Sequence, residues 1–188
     1  MRYARQVTTA DSAEEARTQV RVTVDGRGDA NVATGVPVLD HLLTLLAAYA
    51  AIDLALEVAP GNAEDEVRAA GRSLGAALAD SLHAEDVRGH GSAVVPSAEA
   101  LAHVALEASA EPLLVSHVDL TEARLGGVST DIVAAFLREL STGASITLHV
   151  RLLDGDDAHH VLEAIFKALG TAVAQALRPR RRKEEPHV

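Results

Sequence analysis

An internal duplication is the feature of this sequence that most constrains its fold. Residues 64–78 and 159–173 align without gaps, at an offset of 95 (159 minus 64), and Leu74-Gly75 falls on Leu169-Gly170. Self-similarity at a fixed offset is typical of a chain built from repeated structural units. We therefore expect a tandem pair of half-domains.

The same order of elements precedes both copies of this segment. Each copy follows a strand-like run, at 52–58 and 146–152, and each of these follows an apolar helical stretch, at about 36–50 and about 130–141. A helix–strand–helix unit therefore occurs twice. We expect a single domain over 1–178, with a first half at about 1–82, a linker at about 83–95 and a second half at about 96–178.

The upstream part of each half is expected to form strands. Between 18 and 25, apolar Val20, Val22 and Val24 alternate with polar residues, which is the period of a half-buried strand. Asp25-Gly26 predicts a turn. The runs 101–109 and 112–119 predict a hairpin-like pair in the second half. Sheets backed on one face by Ala/Leu-rich helices define an α+β fold and not a doubly wound parallel sheet.

Three potential metal ligands lie in the first turn of one predicted helix, at His159, His160 and Glu163. Helix positions four apart share a face, so His159 and Glu163 point the same way while His160 points about a quarter-turn away. Imidazole and carboxylate ligands suit Mn²⁺, Zn²⁺ or Fe²⁺. Adjacent histidines at a helix start are also common as caps or solvated surface, and this is the alternative to a metal site.

Two further histidines extend the candidate site. His149 lies in the strand-like run 145–153, which leads through 154–157 into the helix that carries His159. His41 lies in an otherwise apolar helical stretch, where an unpartnered imidazole would bear a desolvation cost. A hydrogen-bonded core histidine is the alternative for His41. Five potential ligands on one strand and two helices predict a shared metal site.

Composition excludes several classes of function. A formal net charge of −10 and a sequence pI near 5.3 disfavour nucleic acid, and the one basic cluster lies at 178–183, in a tail over 179–188 that we expect to be solvated. The absence of cysteine removes disulfides and thiol nucleophiles. No run approaches the roughly 18 apolar residues of a membrane span, and the first residues lack the apolar region of a secretory signal. We therefore expect a cytoplasmic protein that binds neither nucleic acid nor membrane.

Several motifs together resemble a known family. Residues 34–43, Thr147-Leu-His149, the pattern His159-His160-x-x-Glu163 and residues 166–168, in that order and spacing, resemble imidazoleglycerol-phosphate dehydratase of histidine biosynthesis over about residues 2–178. The resemblance implies a duplicated βαβ-type fold of the ribosomal protein S5 domain 2-like class. It also implies trimers that assemble into a 24-subunit shell, two Mn²⁺ ions per site held between neighbouring subunits, and a phosphorylated imidazole as substrate.

The resemblance also assigns roles residue by residue. Metal ligands are implied at five positions, His41, His149, His159, His160 and Glu163. An acid/base carboxylate is implied at Glu15 and a phosphate-binding lysine at Lys167.

The chain departs from the family pattern at several of its motifs. The first-half His-His-x-x-x-Glu element falls near 62–68, where Glu64 and Asp65 are either substitute oxygen ligands or an acidic helix start favoured by the helix dipole. Pro-Met-Asp-Glu becomes Pro-Ser-Ala-Glu at 96–99, and Glu111 and Gly89 stand where arginines are expected. Two functions remain open: a Mn²⁺-dependent hydro-lyase with one ion or two, or a catalytically silent paralogue that has a structural role or co-assembles with an active homologue.

Overall fold

The strands and helices repeat in the order that the sequence duplication predicts. The computed structural model describes residues 18–118, 124–125, 128–129 and 131–180. The first half contains β1 (Thr18–Thr23), β2 (Ala30–Ala33), α1 (Pro37–Ala50), β3 (Asp53–Val58) and α2 (Ala63–Leu82). The second half contains β4 (His90–Ser97), β5 (Ala100–Ala108), β6 (Leu113–His117), β7 (Arg124–Leu125), β8 (Val128–Ser129), α3 (Asp131–Ala144), β9 (Ile146–Asp154) and α4 (Ala158–Ala176).

Two mixed sheets show the duplication directly. In the first sheet, of order β1-β3-β2, β3 is antiparallel to β1 and parallel to β2. In the second sheet, of order β4-β5-β9-β6, β9 is antiparallel to β5 and parallel to β6. Among the described residues the two halves therefore share one strand arrangement, and in the second half β4 lies beyond β5 as an edge strand. The predicted α+β duplicated fold is confirmed.

The strand neighbours differ from those expected at two places. β5 and β6 do not form a hairpin, because β9 lies between them, and β3 likewise separates β1 from β2. The chain turns at Asp25, which has a φ of 59°. The next strand, β2, then lies on the far side of β3 and does not pair with β1. An alternating pattern identifies a strand but does not say which strand pairs with it. The end of the run 112–119 lies outside the described residues, and β4 begins inside the stretch expected as linker.

The two halves pack through crossed helix pairs. α1 packs against α4, and α2 packs against α3, so each helix pair joins elements from different halves. The repeated glycines lie at these crossings: a Cβ on Gly75 would come within 2.5 Å of the Leu140 carbonyl oxygen, and one on Gly170 within 2.5 Å of the Leu46 carbonyl oxygen. Each Leu-Gly pair of the repeat thus allows two helix backbones to approach closely. The same crossing places α1 beside the start of α4.

Candidate metal centre

The start of α4 is fixed by a side-chain cap. Asp157 accepts hydrogen bonds from the backbone N–H groups of His159 and His160, at 2.9 and 3.2 Å. These amides have no partner within the helix, so an Asp at this position satisfies them and fixes the first turn. The amides of His159 and His160 also hold the pKa of Asp157 below its usual value, the His160 amide being the larger cause. Both histidines therefore begin the helix, as the sequence predicts.

The start of α1 is held by a different contact. Val36 precedes Pro37 and provides no side-chain cap, but Asp40 accepts hydrogen bonds from the backbone N–H and the hydroxyl of buried Thr34, at 2.9 and 2.5 Å. Pro at the first helical position costs no hydrogen bond. This junction orients the first turn of α1, and His41 follows Asp40 directly.

His41, His159 and Glu163 meet where α1 crosses α4. Glu163 Oε1 lies 2.8 Å from His41 Nε2 and 3.1 Å from His159 Nε2, and the two imidazole rings stack with centroids 5.7 Å apart. One ligand atom from each residue lies within 4.8 Å of the other two. His159 and Glu163 thus lie on one face of α4, as their spacing predicts. His41 is not a core histidine, because its side chain is 46% exposed. Its imidazole therefore does not bear the desolvation cost expected from the sequence.

Glu163 uses its second carboxylate oxygen to accept two further hydrogen bonds. The Ser97 hydroxyl donates to Oε2 at 2.6 Å and the Lys167 ammonium donates to the same atom at 3.0 Å. The Ser97 hydroxyl, followed by His41 and Lys167, lowers the pKa of Glu163 to about 2. The carboxylate is therefore ionised at neutral pH, which is the form that binds a metal ion.

His160 faces away from this cluster. Its Nδ1 lies 2.6 Å from Glu99 Oε2, and Glu99 Oε1 accepts the Asp157 N–H at 3.3 Å. The pKa of Glu99 is lowered by its own backbone N–H first, and His160 and the Asp157 amide also lower it. A carboxylate on Nδ1 fixes the tautomer in which Nε2 is a free ligand atom. His160 thus has the form of a metal ligand but does not join His41, His159 and Glu163.

His149 lies on the other side of the second sheet. Along β9, Leu148 and Val150 are buried in the core that includes α4, while His149 is exposed, and successive strand residues point to opposite faces. Within one chain the structure therefore does not bring His149 to the start of α4. Glu15, the implied acid/base residue, lies outside the described residues.

The equivalent place in the first half carries ion pairs. At the offset of 95, Glu64, Asp65 and Arg68 correspond to His159, His160 and Glu163. Arg68 lies 2.8 Å from Glu64 and 3.7 Å from Glu139 of α3. Asp65 contributes its N–H to the Asn62 cap, at 2.9 Å. In the described part of the chain these carboxylates form no metal-type cluster, and they match the acidic helix start that was the alternative reading.

Two residues near the cluster were not identified from the sequence. Ser97 and Glu99 flank Ala98 at the tip of the β4–β5 hairpin, and they contact Glu163 and His160 respectively. A signal for Glu99 existed, because Glu15-Ala16 corresponds to Glu99-Ala100 at an offset of 84 (99 minus 15), which differs from 95 because the connecting loops differ. No sequence signal identified Ser97, whose position matches a methionine in the family pattern.

Of the two positions where arginine was expected, the structure explains the residue at one and not at the other. Gly89 adopts a φ of 68°, in the left-handed region that favours glycine, and its N–H donates to the Ala176 carbonyl at 3.0 Å. Glu111 is exposed, and nothing in the structure explains its acidic side chain.

Fold and site together define a duplicated α+β protein with a His-His-carboxylate cluster at the crossing of its two halves. Two imidazole nitrogens and one carboxylate oxygen would fit a borderline divalent cation, and the side chain of His41 is accessible to solvent. No helix among the described residues has the length and apolar character required to cross a membrane.

Comparison with known proteins identifies the family. Residues 34–173 match the imidazoleglycerol-phosphate dehydratase family. The enzyme of that name from Syntrophobacter fumaroxidans is 42% identical over 179 residues, covering 93% of this chain and 90% of the relative. That from Acetivibrio thermocellus is 40% identical over 162 residues, covering 84% and 83%. The chain belongs to the imidazoleglycerol-phosphate dehydratase family.

Solved structures agree with this assignment. The crystal structure of imidazoleglycerol-phosphate dehydratase from Staphylococcus aureus superposes with a TM-score of 0.80 at 29% identity, covering 87% of this chain and 94% of that one. The enzyme from Pyrococcus furiosus gives a TM-score of 0.78 at 28% identity, covering 97% and 98%.

Proposed function

We propose that this protein is a cytoplasmic carbon–oxygen lyase that dehydrates imidazole glycerol phosphate in histidine biosynthesis, with a divalent metal ion held by His41, His159 and Glu163. The observation that carries the proposal is the convergence of these three ligand atoms from two helices of different halves. Similarity to named dehydratases over 93% of the chain supports the reaction class.

We propose Mn²⁺ as the ion, because mixed imidazole and carboxylate ligands suit it and because the family resemblance implies it. The cluster within one chain would hold one ion. A second would need ligands from another copy, since His160 and His149 face away from the cluster. A homo-oligomer, which the resemblance implies to be trimers within a 24-subunit shell, would supply them.

When bound, the metal ion supplies Lewis acidity that favours negative charge on the substrate imidazole. The chain's own residues have separate tasks. The carboxylate of Glu15 would take a proton from the side-chain carbon one bond further from the ring. The hydroxyl on the carbon attached to the ring would depart with a proton as water, leaving an enol that becomes the ketone. Glu163 remains ionised, and His41 and His159 would hold the ion together with it, because the three side chains contact one another.

Phosphate binding by Lys167 would compete with an existing contact. Its side chain is only 15% exposed, and its ammonium already donates to Glu163 and Ser97. A substrate phosphate must therefore share or displace this ammonium, while Glu111 adds negative charge at an expected arginine position. We expect weak substrate binding compared with a site that has free basic groups.

A second candidate function is that of a catalytically silent paralogue. In it the metal would stabilise the helix crossing or a contact with an active homologue. The replacement of the first-half ligands by the Glu64–Arg68 ion pair favours this function, as does the engagement of Lys167.

A turnover assay with Mn²⁺ and imidazole glycerol phosphate, together with the measured metal content, separates the two. Turnover in the unmodified protein, lost with metal in His159→Ala, supports the lyase. Stoichiometric metal without turnover supports the silent paralogue. His160→Ala should retain the ion at the cluster, because His160 is not one of the three ligands. Equal loss of metal in His159→Ala and His160→Ala would contradict this ligand set. Absence of bound metal in the unmodified protein would refute the metal-dependent lyase and any role of a metal in the silent paralogue.

A further inference from the structure

Ser97 links the second sheet to the metal-type cluster. It is the last residue of β4 and is 7% exposed. Its hydroxyl donates to Glu163 Oε2 at 2.6 Å and accepts from the Lys167 ammonium at 2.8 Å, while that ammonium also donates to Oε2 at 3.0 Å. Three side chains thus form a closed triangle of hydrogen bonds.

The triangle fixes the direction of the carboxylate. With Oε2 held by two donors, Oε1 is left facing His41 and His159 at 2.8 and 3.1 Å. A glutamate side chain loses rotamer freedom when it is held in one position. Here the hydrogen bonds of the folded chain impose that loss, so the carboxylate is preorganised as a ligand.

We propose that Ser97 is a positioning residue for the metal ligand Glu163, which it orients through its hydroxyl and through its hold on Lys167. The inference rests on the proposed function, because it concerns the same cluster. It assigns a role to a residue that the family pattern does not mark, since the corresponding family residue is methionine, which has no hydroxyl to donate.

Ser97 differs from Lys167 as a partner of Glu163. Lys167 is on the same helix, one turn further along, and reaches Glu163 with a long flexible side chain. Ser97 has a short buried side chain on a paired strand, opposite Ala100. We therefore infer that Ser97, which is fixed by the sheet, determines where the carboxylate of Glu163 points. The flexible side chain of Lys167 adjusts to that position. Loss of a group that orients a metal ligand commonly lowers metal affinity about 10- to 100-fold.

The test compares Mn²⁺ affinity across variants, measured from the free-ion signal in electron paramagnetic resonance. We expect Ser97→Ala to weaken Mn²⁺ binding about 10-fold, the lower end of that range because Lys167 still holds Oε2. Ser97→Thr, which keeps the hydroxyl, should bind within about twofold of the unmodified protein, and Ser97→Met should behave like Ser97→Ala. Ser92→Ala is the matched control, because Ser92 is on the same strand but exposed and bonded to His103.

A second readout separates positioning from general stability. With Co²⁺ in place of Mn²⁺, the visible absorption spectrum reports ligand geometry, and it should change in Ser97→Ala and return in Ser97→Thr. Denaturation of the metal-free variants verifies that each is folded. Unchanged affinity and spectrum in Ser97→Ala would overturn the positioning role and leave the lyase proposal standing. If the unmodified protein binds neither ion, both proposals fail.

Discussion

The ionised carboxylate of Glu163 should stabilise the metal-free protein, and the substitution Glu163→Gln tests this. In the folded chain the Ser97 hydroxyl, His41 and Lys167 lower its pKa from 4.5 to about 2. At about 1.4 kcal/mol for each tenfold change in proton affinity, the upper limit of the stabilisation is about 3 kcal/mol. The side chain is 17% exposed. Because solvent screens part of the interaction, we expect about 1–2 kcal/mol at neutral pH.

The sign of the pH dependence follows from the lowered pKa. The folded state holds the proton less tightly than the unfolded state, so the contribution is complete above pH 4.5 and is lost as the pH falls toward 2. The difference in unfolding free energy between the unmodified protein and Glu163→Gln should therefore shrink below about pH 4.5. A glutamine of the same shape keeps the packing but presents an N–H₂ group to donors that need an acceptor.

The assay is urea denaturation of chelator-treated protein at one fixed protein concentration, between about pH 3 and 7. Glu57→Gln is the matched control, because Glu57 is an exposed glutamate on β3. The control should change stability by less than about 0.5 kcal/mol. A Glu163→Gln variant as stable as the unmodified protein at pH 7, or a loss independent of pH, would refute the reasoning.

Three further substitutions test the surroundings of the cluster. Gly170→Ala places a Cβ 2.5 Å from a carbonyl oxygen of α1, so the cost of overpacking should exceed the gain in helix propensity. We expect a net loss of about 1 kcal/mol in stability and weaker Mn²⁺ binding. Gly61→Ala is the control, because a Cβ there has nothing within 4 Å, and it should have neither effect. Glu139→Gln removes one carboxylate that two arginines of α2 share as a partner, and it should cost about 1 kcal/mol in urea denaturation without changing the Mn²⁺ content. Ala98→Asn should raise unfolding stability by about 0.5–1 kcal/mol, since Ala98 has a φ of 50° and asparagine tolerates that region better.

Much of this architecture follows from local sequence patterns. The repeated Leu-Gly pairs, at Leu74-Gly75 and Leu169-Gly170, predict two like halves, and spacing by four places His159 and Glu163 on one helix face. These predictions need only the period of a helix. The repeat also indicates where helices cross, although only the structure shows that the crossing joins α1 to α4 and α2 to α3.

The contacts between distant segments could not be predicted in the same way. Which strand lies beside β5 depends on the whole topology, and so does the face of the sheet on which His149 emerges. His41 and Glu163 are 122 residues apart in sequence and meet only because their helices pack. Ser97 is invisible to sequence reasoning for the same reason, since a lone serine at a strand end has no pattern.

Each of the two helix crossings contains a partly buried carboxylate, and the groups that face this carboxylate differ between the crossings. At the α2–α3 crossing, the carboxylate of Glu139 is neutralised by Arg68 and Arg72, which the chain itself supplies. At the α1–α4 crossing, the carboxylate of Glu163 faces two imidazoles, with one ammonium on its other oxygen. Neutral imidazoles carry no positive charge, and a cation can take the place of their Nε2 protons beside the carboxylate. We therefore expect the second crossing to bind an external cation and the first, which has its own arginines, not to do so. Because every crossing combines helices from both halves, neither half alone would retain the cluster. The divergence of the first half to arginine therefore removes one candidate ion position while preserving the packing that holds the other.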